Sequence, residues 1–364
     1  MAISKIPSAG FQDNVKFRNI IINGDMSIAQ RGTSASSHSS DSYTTVDRWK
    51  TRVNGQGVWT ISQETDVPSG QGFANSLKWD CTTADASPSA SDFLIHEQKF
   101  EGQNLQYLKY GTANAESLTV SFWVKSNKIG AYTIGFFCAG NNKHIESSYT
   151  INNANTWEKK TVTFVGDTAS ALANDNTEEM KLWFWLGAGS NFSSGTHATT
   201  WSSYAQANVL VDNQVNLADN TSNEWYITGV QLEAGTTASD FEFLPVDVNT
   251  QRCERYYQVI VDGAGVTWGI ATQYTTATIY ASYLLRTVMR TAPTLDQVTG
   301  TNIYTFYRNS NADTFNGITV LQKATPQYIE WNVSSGVSGT GGQAGFLRTG
   351  NSATTAFIGV NAEL

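Results

Sequence analysis

Apolar and polar residues alternate with a period of two along much of the chain. In residues 117–126 (SLTVSFWVKS), Leu118, Val120, Phe122 and Val124 fall on one side and Thr119, Ser121, Trp123 and Lys125 on the other. That is the spacing of a half-buried strand. Residues 156–165 alternate in the same way and stop at Gly166-Asp167, while residues 180–186 (MKLWFWL) are aromatic on both faces. In residues 224–233 (EWYITGVQLE), Trp225 and Ile227 share a face that Val230 and Leu232 reach only if one residue is inserted. Gly229 is the natural place for that bulge, because glycine tolerates the kink. Helical periodicity is almost absent. Strands joined by polar, Gly/Asn-rich turns predict an all-β chain built as a jelly-roll sandwich.

Three short polar stretches, 33–42, 82–92 and 169–177, read as loops, and 187–223 is a longer polar insertion with Trp201 and Tyr204 as anchors. One short helix is expected over 246–258, which follows Pro245, lacks glycine and carries Cys253, Tyr256 and Tyr257. Strand patterns resume at 266–271, 276–285, 303–308, 327–333 and 356–360, with a Gly-rich turn at 336–345. The expected order is an attachment arm (1–16), a jelly-roll domain (17–245), a linking helix (246–258) and a smaller C-terminal β-sandwich (259–364). The arm has too few apolar anchors to fold alone.

Composition narrows the function classes. Charged residues make up 15% of the 364 residues and aromatic residues 12%, with 11 Trp, 15 Tyr and 17 Phe. Disordered chains are poor in aromatics. The surface must be built from hydroxyl and amide side chains, which suits contact with polysaccharide: sugar C–H faces stack on rings and sugar hydroxyls need amide and carboxylate partners. A net charge of −8 argues against nucleic acid as a partner. No run approaches the ~20 apolar residues of a membrane helix. No leader precedes the first strand pattern, so synthesis in the host cytoplasm is expected. Cys81, Cys138 and Cys253 lie far apart and read as free thiols.

Two segments carry a family resemblance. The first holds NIIINGDM (19–26), AQRGT (29–33) and DRW (47–49). The second holds NQVNLA (213–218), ITGVQLEAG (227–235), FE (241–242) and RCERYYQ (252–258), in which Glu254 stands where the family usually has Gln. Together with MRTAP (289–293) and NAEL (361–364), this combination resembles tail-fibre and receptor-binding proteins of tailed phages, notably marine and cyanobacterial ones. The resemblance implies a virion protein with a carbohydrate-module-like jelly roll, often trimeric, and it names no catalytic residues. The expected partners are other copies of the chain in a homotrimer, another virion protein through residues 1–16, and a host surface glycan. The helix, with Tyr256 and Tyr257, is expected near the three-fold axis. A capsid-surface (head) fibre and a polysaccharide depolymerase are the alternative readings.

Trp123, Trp183 and Trp185 are the candidate glycan contacts, since each lies opposite the aliphatic face of its strand. Such a row is either a sugar platform or is buried by another subunit or by the 187–223 loop. Jelly-roll carbohydrate modules of the kind this chain resembles often hold a structural Ca²⁺, for which Asp25, Asp47, Gln231 and Glu233 are the candidate oxygen donors. The alternative is that Asp25 caps a turn and Asp47 pairs with Arg48 or Arg31. No catalytic residue is assigned and no enzyme is expected. Glu178-Glu179 are adjacent, Glu97 and Glu101 have no catalytic context, and His38, His96, His144 and His197 are isolated and read as surface or loop residues.

Overall fold

The computed structural model describes residues 17–364. The arm expected at residues 1–16 lies outside the described residues. The chain is all-β, and every strand ladder is antiparallel. The first sandwich packs two sheets. One has the order β1 (Ser34–His38), β4 (Val58–Glu64), β5 (Ser76–Thr83), β13 (Glu224–Ala234), β7 (Leu118–Ser126), β10 (Glu158–Phe164). The other has the order β12 (Ser202–Ser203), β9 (Lys143–Ile151), β8 (Gly130–Cys138), β11 (Glu178–Ala188), β6 (Phe93–Glu101), β3 (Lys50–Asn54), β2 (Ser42–Tyr43). The late strands β11 and β13 insert between early ones, which is the winding of a jelly roll.

Alternation along the strands decides what is buried. Leu118, Val120, Phe122 and Val124 are fully buried, as are Met180, Leu182, Phe184 and Leu186 on the facing sheet. In β13 the register against β7 shifts between Thr228 and Gln231. That shift turns Val230 and Leu232 inward with Trp225 and Ile227. Gly229 takes φ 61° there, and a Cβ on it would sit 2.5 Å from the Phe73 ring. The bulge therefore needs glycine for both conformation and space.

The second sandwich covers a seven-stranded sheet with a three-stranded one. The larger has the order β19 (Asn311–Phe315), β18 (Tyr304–Arg308), β22 (Ala344–Thr349), β15 (Thr267–Thr275), β16 (Thr278–Leu284), β21 (Tyr328–Val333), β20 (Val320–Ala324). The smaller runs β14 (Tyr257–Asp262), β23 (Phe357–Asn361), β17 (Thr294–Gln297). Trp268 stacks on Trp331 at 5.2 Å in the core between them. None of the described helices is long and apolar enough to cross a membrane.

The one α-helix among the described residues, α1 (Val246–Glu254), is four residues shorter than expected. From Tyr257 onward the aromatic and β-branched run YQVIV pairs with β23 instead. This corrects the expected role of the tyrosine pair. Tyr256 and Tyr257 are 1% and 0% exposed inside a single chain, so neither is free to meet another copy. They build the seam between the two sandwiches. Tyr256 Oη donates to the buried carboxylate of Glu101, which also accepts from Arg255 Nε at 2.7 Å and Nη2 at 2.6 Å. Burial pushes the Glu101 carboxyl up, but these donors outweigh it and hold it below its ordinary value. Arg48 lies flat over the Tyr256 ring, 3.4 Å from its centroid, pairs with Glu363 and donates to the Lys99 carbonyl at 2.8 Å. Arg31 covers Tyr257 at 3.5 Å, and Tyr257 Oη donates to Asp296 at 2.6 Å.

The fold subjects Arg48 to a sharp test. Removing one partner of a buried pair strands the other charge, at a cost of about 3–5 kcal/mol. Arg48→Met is expected to lose about that much stability in urea denaturation. The loss should be read as a lower midpoint of unfolding, while Tyr256 still donates to Glu101 and Glu363 still faces Arg31 at 3.4 Å.

Candidate functional site

The three tryptophans singled out in the sequence part company. All lie on outer sheet faces, as their parity requires. Trp183 and Trp185 are nevertheless 4% and 1% exposed, so the platform expected there does not exist as an open surface. The chain's own insertion covers them: Phe192, Val209 and Leu210 pack onto this pair, with Tyr204 at the edge. The insertion is fastened by polar contacts. Gln214 Nε2 donates to the Trp185 carbonyl at 3.1 Å, and Val211 N donates to Thr133 Oγ1 at 3.0 Å. Trp183 Nε1 donates to Glu97 at 2.9 Å, and Arg52 stands 3.6 Å from the same carboxylate oxygen.

Trp123 differs. It is half-buried and lines a cleft of about 180 Å³ on the outer face of the six-stranded sheet. Across the strands its neighbours are Lys159 of β10 and Thr228 of β13. The far wall is aromatic: Phe241 and Phe243 each approach Phe73 at 5.1 Å and each other at 4.8 Å. Gln71, Ser121, Lys159 and Asp240 supply polar groups. Period-two geometry again sets which side chains face the cleft. Between the two phenylalanines, Glu242 points the other way and accepts from the amides of Phe17 at 2.9 Å and Asn19 at 3.0 Å. Gly229 lets the Phe73 ring close over the bulge. The sequence reading missed the three phenylalanines. The FxF spacing at 241–243 was a signal for two of them, but nothing local shows that they meet Trp123.

The four candidate calcium donors do not converge. Asp47 is fully buried and accepts from Gln30 N at 2.9 Å and Gln30 Nε2 at 2.5 Å, with Arg31 at 4.0 Å. Burial raises its carboxyl to about 6 against the pull of Arg31 and Gln30. Asp25 accepts from Ser27 and Asn249. Gln231 donates to Glu233 at 2.9 Å, and Glu233 also faces Arg18 at 3.3 Å. Among the described residues no group of three or more His, Cys, Asp or Glu side chains is placed to hold a metal ion.

The histidines correct another expectation. His38, His96 and His144 are buried. His96 lies in the core, stacked on Trp49 at 4.7 Å, and burial lowers its pKa to about 3. His144 Nε2 accepts from Ala205 N at 3.3 Å, which leaves its proton on Nδ1 to donate to Glu146 Oε1 at 3.0 Å. This chain pins the insertion to β9. Of the carboxylates weighed for catalysis, Glu178 is held by Lys99 and Lys181, Glu101 by Arg255, and Glu97 by Trp183. Among the described residues the Trp123 cleft is lined by a single carboxylate, Asp240.

No family model matches the chain, and no curated protein matches it in sequence. Among solved structures, the chain is similar to the enzymatically active domain of bacteriophage CBA120 tailspike protein 4, with 14% identity and a TM-score of 0.33. That alignment covers 60% of this chain and 22% of the tailspike chain, so this chain matches less than a quarter of that protein. It is also similar to the family 11 carbohydrate-binding module from Clostridium thermocellum in complex with a β-1,3-1,4-mixed-linked tetrasaccharide. Here identity is 11%, the TM-score is 0.27, and coverage is 57% of this chain and 97% of the module. The module TmCBM61 in complex with β-1,4-galactotriose shows 10% identity and a TM-score of 0.30 over 60% of this chain and 99% of the module. The assignment of the jelly roll above stands on the strand order itself.

Two measurements check this geometry. Trp183→Ala is expected to cost about 3–5 kcal/mol in chemical denaturation, the usual penalty for emptying an aromatic site in a core. Trp123→Ala should cost about 1 kcal/mol or less, as a substitution on a half-open face. The second check uses pH. Burial lifts the Glu146 carboxyl to about 7, against the opposing hydrogen bond from His144. A carboxyl whose folded pKa lies above its unfolded value near 4.5 contributes stability that is complete below the unfolded pKa and lost as pH rises through 7. Between pH 5 and pH 8, wild type should therefore lose on the order of 2 kcal/mol more than Glu146→Gln, read from paired denaturation curves.

Proposed function

We propose that this protein is a non-enzymatic virion adhesin, a phage tail-fibre or receptor-binding protein, that attaches to a host surface glycan through the cleft around Trp123. The observation that carries the glycan reading is the cleft itself. A half-buried indole and three phenylalanine rings stand beside an amide, an ammonium and a carboxylate on a rigid sheet. Rings accept the apolar face of a sugar, and the polar rim meets its hydroxyls. With one carboxylate in the cleft, the acid–base pair that glycoside hydrolysis needs is not assembled there. The virion assignment rests on the sequence resemblance, of whose quoted residues Asp47, Arg48, Tyr256 and Glu363 meet at the seam. A homotrimer completes the reading, because three weak sites gain avidity when linked.

The test uses phage particles or purified protein carrying Trp123→Ala. The variant should fold with a wild-type melting temperature and lose about 1 kcal/mol of sugar affinity per site, roughly fivefold, judged from aromatic pair terms. Adsorption to host cells should fall further, because avidity compounds the loss. A folded variant that adsorbs at the wild-type rate would overturn the assignment of the cleft. Release of reducing ends from host polysaccharide by the wild type would overturn the non-enzymatic reading.

A further inference from the structure

The outer face of the C-terminal seven-stranded sheet breaks the rule that the first sandwich follows. There, one outer face is covered by the 187–223 insertion, and on the other Thr119 and Ser121 of β7 are buried while Trp123 and Lys125 are half-buried. On the second sandwich, Ile270 and Tyr274 of β15 are 72% and 70% exposed and Leu284 of β16 is 77% exposed. Register places them on one side of the sheet. Thr272, between Ile270 and Tyr274, pairs with Tyr280, and Leu284 shares the parity of Tyr280. Ile270 pairs with Phe346, and Phe346 stacks on Tyr307 at 5.0 Å. The opposite parity, with Ile279, Ala281, Trp331 and Leu347, fills the core.

We propose that this face is where copies of this chain meet. Three observations choose a second copy over a sugar. First, the most exposed groups include branched aliphatics, Ile270 and Leu284, which offer no flat ring for stacking and gain from contact with another apolar protein surface. Second, the area fits. Seven strands at ~4.8 Å span about 34 Å edge to edge, and six residues along each strand span about 20 Å. That gives roughly 700 Å², close to the ~800 Å² per partner of a standard protein interface. Third, the charges on this face are few and of both signs. Glu330, opposite Ser282 on one side and Lys323 on the other, and Arg348, opposite Thr305, stand on either side of the apolar field. Copies brought together would not be driven apart by like charge. The face replaces the helix and its tyrosines as the oligomer contact. Only the number of copies rests on the homotrimer reading above.

The experiment compares wild type with Ile270→Lys/Leu284→Lys by light scattering and sedimentation at micromolar concentration. Both substitutions sit at exposed strand positions, so circular dichroism and melting should match wild type. The wild type should be oligomeric and the double variant monomeric, with self-association weakened about a hundredfold or more, as expected for two central interface positions. Tyr274→Ser is a milder second variant in case the lysines disturb folding, and it should weaken association in the same direction. A monomeric wild type, or variants that stay oligomeric, would overturn the proposal. A dimer that dissociates in the variant upholds the face while overturning the homotrimer. The double variant should still bind host polysaccharide through an intact Trp123 cleft. If the wild type is instead a monomer whose glycan binding disappears with the lysines, the face is a sugar platform and the proposal fails.

Discussion

A buried guanidinium organises this molecule. Arg48 is 1% exposed and sits in the seam between the two sandwiches, so its charge has no water to fall back on. It is tolerated there because Glu363 balances the charge, the Lys99 carbonyl takes a hydrogen bond, and the Tyr256 ring covers the cation. Each partner comes from a different part of the chain: β6, the residues after α1, and the residues after β23. The backbone itself is bent to this purpose, for Arg48 takes φ 71°, a conformation that costs a long side chain on the order of 1–2 kcal/mol. Buried ion pairs often add little net stability, but an incorrectly docked one is expensive. The seam therefore acts as a lock on orientation more than as a source of stability.

Further charged groups reinforce that lock. Glu101 repeats the device with Arg255 and Tyr256, and Arg290 extends it by donating to the carbonyls of Asn176, Ala362 and Glu363. Residues that carry the family resemblance stand both here (Asp47, Arg48, Tyr256 and Glu363) and at the Trp123 cleft (Gly229 and Phe241). The first group reads as the joint that holds two sandwiches at a fixed angle.

The covered tryptophans and the open one illustrate how local pattern and burial separate. Trp123, Trp183 and Trp185 have the same parity logic, and each stands opposite an aliphatic row. What differs is the 187–223 insertion, which brings Phe192, Val209 and Leu210 over two of them. The Ala205–His144–Glu146 hydrogen-bond chain then fixes the insertion. The same kind of sequence signal yields a core on one sheet and a cleft on the other.

The sequence by itself determined the strands, the inward face of each, the bulge at Gly229 and the division into two β-sandwiches around a short helix. These depend on period-two alternation and on glycine's access to positive φ, both of which are local. It did not determine where the helix ends, because Tyr257–Val261 has strand propensity that is realised only when β23 arrives from a hundred residues away. It did not show that three histidines are buried, that Tyr256 and Tyr257 belong to an internal seam, or that Asp25, Asp47 and the Gln231–Glu233 pair each have their own hydrogen-bond partners. Nor did it bring Phe73, Phe241 and Phe243 to Trp123. Those facts depend on which strands become neighbours, and that is decided by burying charge and apolar surface across the whole chain, where no local period reports it.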